Sequence, residues 1–426
     1  MLRYLFSGLF CVVAGAVSAC PAPPDNLTLQ QMYVQPGRHQ VVEQGMWAVW
    51  YVPAFFTAAD AQATIDNLES TRCAAMDDYA MQWPPNPAAG VRFNVYLHGP
   101  GQDDGFGDYG WANGVGDNDA GLPFMTLPDG VTADPDNLNH EGFHVFQWAA
   151  SSPGYANDGD SGWFIETSAQ WFMAERNPDG VDIHLTASTI AANPQLPLWL
   201  GFYNQAPKDP VHWMTDNRQY AMHLFIRYLG EEWGLPDTAV TAGFFDGTTL
   251  MPQDYLSRAV GPANFATAWA DFAALMTASF VEGPGVPMPD WELTRAQRDA
   301  SWTERTRNVQ ADPRDGIEND ITLTLKPGEW ASPPARLRPR PWSYNVLRIA
   351  QPQGAGIVQL DTQNAGQMKL RLVTRHGDIW VLKPIDPGQQ VDLAKADSAY
   401  IVLAWTPPLF EGAQMVDYRI KLDPAP

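Results

Sequence analysis

Basic residues are scarce in this 426-residue sequence: 26 lysines and arginines stand against 48 aspartates and glutamates. The formal net charge of -22 repels phosphate backbones and anionic lipid, which argues against nucleic acid as a partner. Long apolar runs are scarce too. Past the N-terminus no segment approaches the roughly 18 uninterrupted apolar residues that mark a membrane span. No internal repeat is present. Cysteine is limited to three positions, so at most one bridge can form within the chain. What the sequence does have is core material. Hydrophobic residues make up 45% and aromatics 12%, with 17 tryptophans, which excludes global disorder. The length calls for two or three domains. The acid is mostly aspartate, 35 against 13 glutamates, as in solvated turns.

The first 19 residues read as a secretory signal peptide. Arg3 precedes an apolar run from Leu5 to Val17, and small residues follow. "VSAC" leaves two readings open. Cleavage after Ala19 leaves Cys20 and Cys73 as a pair able to bridge in an oxidising compartment. Read as a lipobox, the same four residues make Cys20 a lipid anchor on a bacterial envelope. Either way the location is secreted, periplasmic or extracellular.

Residues 20 to about 45 lack clear periodicity. Residues 55–83 read as helix with Thr57 as N-cap, and "VRFNVYLHG" (91–99) as a strand. A Gly- and Asp-rich loop follows, then "LPFMTLP" as a second strand. From about 137 to 281 the pattern is mostly helical, clearest over 137–150, 162–176, 217–233 and 265–280. Residues 286–316 hold prolines and charges with little apolar material and read as a linker or surface-crossing connection. From 317 to 426 short alternating segments separated by turns predict an all-β sandwich.

One stretch carries chemistry. "HEGFH" places His140 and His144 four apart, on one face of a helix, with Glu141 one position round. Two imidazoles, a third ligand, an open position for water and a carboxylate base are the parts of a zinc hydrolase. For this composition the expected chance count of H-E-x-x-H is roughly 0.005, so accident is a poor explanation. The bland alternative is a helix whose histidines face water. The metzincin pattern needs a glycine and a histidine where Gln147 and Ala150 stand, so it is excluded. Glu166, 22 residues after His144, lies in "SGWFIETSAQW", a run apolar around most of a helix for which Ser161 is a reasonable N-cap. A carboxylate there needs a cation, either a metal or a core arginine.

"NHEGFHVFQW" followed by "GWFIETSAQW" resembles the gluzincin zinc metallopeptidases. It is more closely similar to an uncharacterised family of secreted bacterial proteins classed as metallopeptidases, over about Val91 to Gly234. The resemblance implies that His140, His144 and Glu166 bind one zinc ion, and that Glu141 is the general base of peptide-bond hydrolysis. Many thermolysin-like members carry an aspartate four residues after the ligand glutamate to orient a ligand histidine. Here that place is Gln170, a neutral amide that still accepts from an imidazole N–H. Asn139 or a backbone carbonyl is an alternative partner.

Oxyanion stabilisation needs a further donor. Tyr220 stands where the resembling family has a tyrosine, and His212 and His223 are the other candidates. His39, His98, His184 and His376 lack ligand spacing, with His184 the fallback third ligand. The loops "GQDDGFGDYG" and "GYANDGDSG" offer oxygen ligands suited to Ca2+, but no EF-hand spacing supports it. The expectation is therefore an α+β fold. A zincin-like domain over 20–285, a small sheet plus a mostly helical half, precedes the β-sandwich of 317–426. The expected activity is that of a zinc peptidase, an endopeptidase by the clan it resembles, acting on protein or peptide. The rival is a secreted or tethered binding or adhesion protein with an inert core of the same shape.

Overall fold

A computed structural model describes residues 20–34, 36–99, 114–117, 121–132, 134–202, 204, 217–283, 285–289, 291, 293–311, 323–412 and 414–424. The expected signal peptide, the loop over 101–110 and His212 lie outside the described residues. The chain mixes helix and strand, as an α+β fold requires. Among the described residues no helix is long and apolar enough to cross a membrane.

Five strands form the first sheet: β1 Gln40–Gln44, β2 Trp47–Tyr51, β3 Phe93–His98, β4 Gly114–Asp117 and β5 Pro123–Pro128. Their order is β1-β2-β3-β5-β4. β1 and β2 make an antiparallel hairpin through Gly45, whose φ of 56° suits glycine. The aperiodic reading of the N-terminal stretch did not anticipate it. β2, β3 and β5 run parallel, and β4 closes the order antiparallel to β5. Strands β2 and β3 are buried along their whole length, because helices cover one face of the sheet and the N-terminal stretch around residues 30–33 covers the other.

Helix α1, Ala58–Asp77, links β2 to β3. Thr57 caps it as expected, in a reciprocal box with Asp60. A short α2, Pro85–Ala88, leads into β3. After β5 come α3 (Pro135–Gln147), α4 (Trp163–Arg176), α5 (Ser188–Ala192), α6 (Arg218–Ala221) and α7 (His223–Trp233). Then follow α8 (Asp237–Ala242), α9 (Pro252–Val260), α10 (Pro262–Phe280) and α11 (Arg295–Ala311). Ser161 does not cap α4: its hydroxyl donates to Ala156 O and Asp158 O, and Gly162 takes the cap position.

The segment 286–316, expected as a connection, contains α11. Its polar composition hides a docked helix, started by a Thr294–Gln297 capping box. Ser301 anchors it by donating to Leu185 O and accepting from Ser188 N.

The C-terminal strands are β6 Leu323–Leu325, β7 Ser343–Ile349, β8 Ile357–Gln363, β9 Met368–His376, β10 Ile379–Pro384, β11 Gln390–Asp392, β12 Ser398–Trp405 and β13 Arg419–Pro424. They form a five-stranded sheet, β10-β9-β12-β7-β6, and a three-stranded one, β11-β8-β13. Leu347, Leu372, Ile401 and Leu403 of the first share a core with Leu360, Ile420 and Leu422 of the second. The larger sheet's other face is not solvated. Tyr344, Val346, Val373, Tyr400 and Val402 join the main core with Phe265, Trp269 and Phe272 of α10. Arg375 bonds Glu282 at 2.8 Å across this contact, and Arg371 pairs with Asp271. One apolar core therefore runs through both halves.

Cys20 and Cys73 are joined in a disulfide, so the pairing reading describes this structure; a sulfur bonded there carries no lipid thioether. The bridge closes a loop of 53 residues between the N-terminal strap and α1. A loop of that length is worth about 2–4 kcal/mol. Replacing both cysteines with serine should therefore lower unfolding free energy by that amount in a denaturant titration, and added reductant should then have no further effect on the variant. A variant as stable as the parent would show the bridge to be dispensable.

Candidate metal centre

α3 starts at a defined point. Asp134 accepts from Asp136 N and Asn137 N, and Pro135 sits at the first turn, where its missing N–H costs nothing. From Leu138 to Gln147 every residue of α3 is buried, so His140 and His144 do not simply face water. α1 packs along one side of α3 and α4 along the other, with Phe143 stacked on Phe172 at 4.7 Å.

The approach of α1 explains Gly142. A Cβ there would stand 2.8 Å from Thr71 Cγ2 and 3.2 Å from Leu68 Cδ2. Thr71 cannot simply turn away, because its hydroxyl donates to Asn67 O or Asn139 Oδ1. Asn139 is thus engaged with α1 and not with a ligand histidine.

Three side-chain atoms converge between α3 and α4. His140 Nε2 lies 3.2 Å from His144 Nε2 and 3.2 Å from Glu166 Oε2, and His144 Nε2 lies 3.4 Å from the same oxygen. Ligands about 2.0–2.1 Å from a tetrahedral zinc ion stand about 3.3–3.4 Å apart. The triad fits three corners of that tetrahedron. No arginine pairs with Glu166 among the described residues. The carboxylate is half-buried, keeping 22% of its side chain exposed, so its apolar neighbours do not enclose it fully.

Charge in the triad is tightly coupled. Burial alone would raise the Glu166 carboxyl, but the His144 charge and the bonds from both imidazoles hold it well below the usual carboxylate range. Burial opposes charging His144, yet Glu166, Glu141 and Gln147 push its pKa up to about 9. This contact holds a proton where ligation needs a neutral imidazole and an ionised carboxylate, so a metal would displace the proton. Glu141 is buried beside them. Desolvation raises its carboxyl, partly offset by His144 and His140. It makes no side-chain hydrogen bond among the described residues.

The orienting partner differs from expectation. Gln170 turns away, its amide donating to Ile183 O, because the second turn of α4 faces the 182–184 turn. Gln147 takes the role instead. Its Oε1 lies 2.6 Å from His144 Nδ1 and its amide donates to Ile165 O and Ser168 Oγ. An Nδ1–H given to that oxygen leaves the Nε2 lone pair for a metal. The i, i+3 spacing of His144 and Gln147 was the available signal. Among the described residues His140 Nδ1 has no such partner.

Tyr220 reaches the site. Its ring lies 5.8 Å from the His140 ring, tilted by 35°. Burial, the charges of Glu166 and Glu141, and a hydrogen bond to Glu166 push its phenol well above the ordinary value, so it stays protonated. His223 and His184 pair with each other instead, His223 Nε2 to His184 Nδ1 at 2.8 Å. His223 Nδ1 donates to Tyr220 O at 2.7 Å. Burial holds both imidazoles below their ordinary value, His184 at about 3. His184 is therefore engaged away from the triad.

Among the described residues, only one other group of metal-type ligands converges: Cys20, Glu69 and Cys73. Its sulfurs are spent on each other in the disulfide. Asp158 and Asp160 of the 154–162 loop join no such group, so nothing there adds to the case for calcium.

The chain matches no family model and no curated protein.

Gly142→Ala tests the α1–α3 contact. Alanine favours helix by about 1 kcal/mol over glycine, yet here its methyl forces the two helices apart. We expect a net destabilisation of about 1–3 kcal/mol in a denaturant titration. A neutral or stabilising result would contradict the close packing.

Proposed function

We propose that this protein is a secreted zinc-dependent peptidase of gluzincin type, with the zincin-like half followed by a β-sandwich. The observation that carries the reading is the convergence of His140, His144 and Glu166 to 3.2–3.4 Å, with Glu141 on the same helix as the two histidines. The disulfide suits an oxidising compartment.

A zinc ion held by the triad would supply Lewis acidity toward a carbonyl and acidify a water. The protein's residues do the remainder. Glu141, at the buried floor of the site, takes a proton from the attacking water and delivers it to the leaving amine. The carboxylate begins and ends ionised, so the proton balance closes. The Tyr220 phenol donates a hydrogen bond to the oxygen on which negative charge develops. Gln147 keeps His144 in the tautomer and orientation that ligation needs. Among the described residues β4 lies last in its sheet and touches α3, and an outermost strand can pair with an extended peptide.

Glu141→Gln keeps the shape of the site and removes its base. The variant should bind about one zinc ion per chain, as the parent does, while hydrolysis of a broad peptide library falls by at least about 100-fold. Equal hydrolysis by parent and variant would refute the mechanism. If neither cleaves while both hold zinc, the binding-protein reading takes its place. Tyr220→Phe should lower kcat by about 100-fold or more with zinc content unchanged. An unaltered kcat would remove Tyr220 from the machinery.

A further inference from the structure

Arg218, two residues before Tyr220, is fully buried. Among the described residues it pairs with no carboxylate. Its guanidinium donates instead to four main-chain carbonyls: Pro197 at 3.2 Å, Ile190 at 3.4 Å, Asn193 at 3.2 Å and Leu196 at 2.9 Å. Two of these, Ile190 and Asn193, belong to the C-terminal end of α5, whose unpaired carbonyls carry partial negative charge. An isolated buried cation is costly, so a cage of carbonyls of this kind ties both sides together strongly.

The caged segment is itself bound to the C-terminal sheet. Tyr344 N donates to Pro194 O at 2.7 Å, Arg340 N to Gln195 O at 3.2 Å, and Leu198 N to Trp342 O at 3.0 Å. The Tyr344 hydroxyl donates to Ile190 O at 3.3 Å. On the other side α6 is fixed at Gln219 and Tyr220. Gln219 Oε1 accepts from Phe202 N at 3.1 Å. Gln219 O accepts from the hydroxyl of Thr167, the neighbour of Glu166, at 2.5 Å. Tyr220 O accepts from His223. Gly201 lets this happen, since a Cβ there would stand 2.4 Å from Gln219 Oε1.

We infer that Arg218 is a positioning residue for Tyr220: it clamps the one-turn helix α6 to the 190–197 segment, and through that segment to the C-terminal sheet, so that the phenol is held over His140. This rests on the peptidase reading for its consequence in turnover, though not for its geometry. The C-terminal sheet is then part of the site's scaffold, and not a separable appendage.

The test uses the full chain. Arg218→Lys keeps the charge but loses the planar fork that reaches four carbonyls. It should leave zinc content unchanged and lower kcat about tenfold to a hundredfold, KM changing little, as a misplacement of about 1 Å would. In a Tyr220→Phe background the same substitution should cost nothing more, because the group it positions is gone. An equal loss in both backgrounds would overturn the inference, since Arg218 would then act on something else. A fluorotyrosine at position 220, read by fluorine NMR, reports the ring without any need for activity. Its resonance should move with Arg218→Lys; an unmoved resonance overturns the inference whatever the turnover. A moved resonance in a protein without peptidase activity would uphold the positioning and sink only the peptidase reading. Arg218→Gln, which removes the charge and keeps two donors, gives the same readout should the lysine variant not fold.

Discussion

The crossing of α3 and α4 must bring one carboxylate oxygen between two imidazoles, and most of the surrounding structure serves that requirement. A half-buried carboxylate at the head of an apolar helix is stable only beside positive charge. Here the partners are His140 and His144, one turn apart on the facing helix, whose Nε2 atoms stand 3.2 and 3.4 Å from the carboxylate oxygen. Their separation is set by the helix, but the distance to Glu166 is set by packing. Phe143 on Phe172 fixes the spacing of the two helices. Gln147 bridges them, holding His144 with one end and α4 with the other. On the far side Thr71 fills the space that the missing side chain of Gly142 leaves. A shift of α3 toward or away from α4 would change both imidazole–carboxylate distances directly.

The second constraint is on what stands opposite the triad. Tyr220 sits on a helix of a single turn, too short to hold its own geometry. Its position is imposed from outside, by Thr167, His223 and the carbonyl cage around Arg218. That cage ends on β7, and β7 shares its core with α10. The apolar layer between α10 and the five-stranded sheet thus reaches the site through a short chain of hydrogen bonds. The ion pairs of Arg375 and Arg371 at the same contact resist sliding of the sheet on the helix.

How legible was this in the sequence? His140, Glu141 and His144 were, because their geometry follows from helical spacing alone. Glu166 was, because a carboxylate inside an apolar run demands a partner. The identity of the partner of His144 was missed. The resemblance points four residues past Glu166, to Gln170, whereas Gln147 stands three residues past His144 on the same helix. Tyr220 reached the site as expected, while the clamp behind it left no trace in the pattern: a buried arginine that binds carbonyls has no sequence signature. The α+β class and most strands followed from periodicity. The β1–β2 hairpin did not, since its first strand is only partly buried. α11 was hidden by its polar surface, although Thr294 and Gln297 spelled out its capping box. The continuous core between the halves is a tertiary fact, invisible to any window of sequence.

The central claim is that His140, His144 and Glu166 form one metal site. X-ray absorption at the zinc edge of the loaded full-length protein tests it most directly. The account predicts a shell of only nitrogen and oxygen at about 2.0–2.1 Å, with the outer-shell scattering of two imidazole rings. Sulfur at about 2.3 Å would place the metal at Cys20 and Cys73, and a shell without two imidazoles would contradict the claim outright.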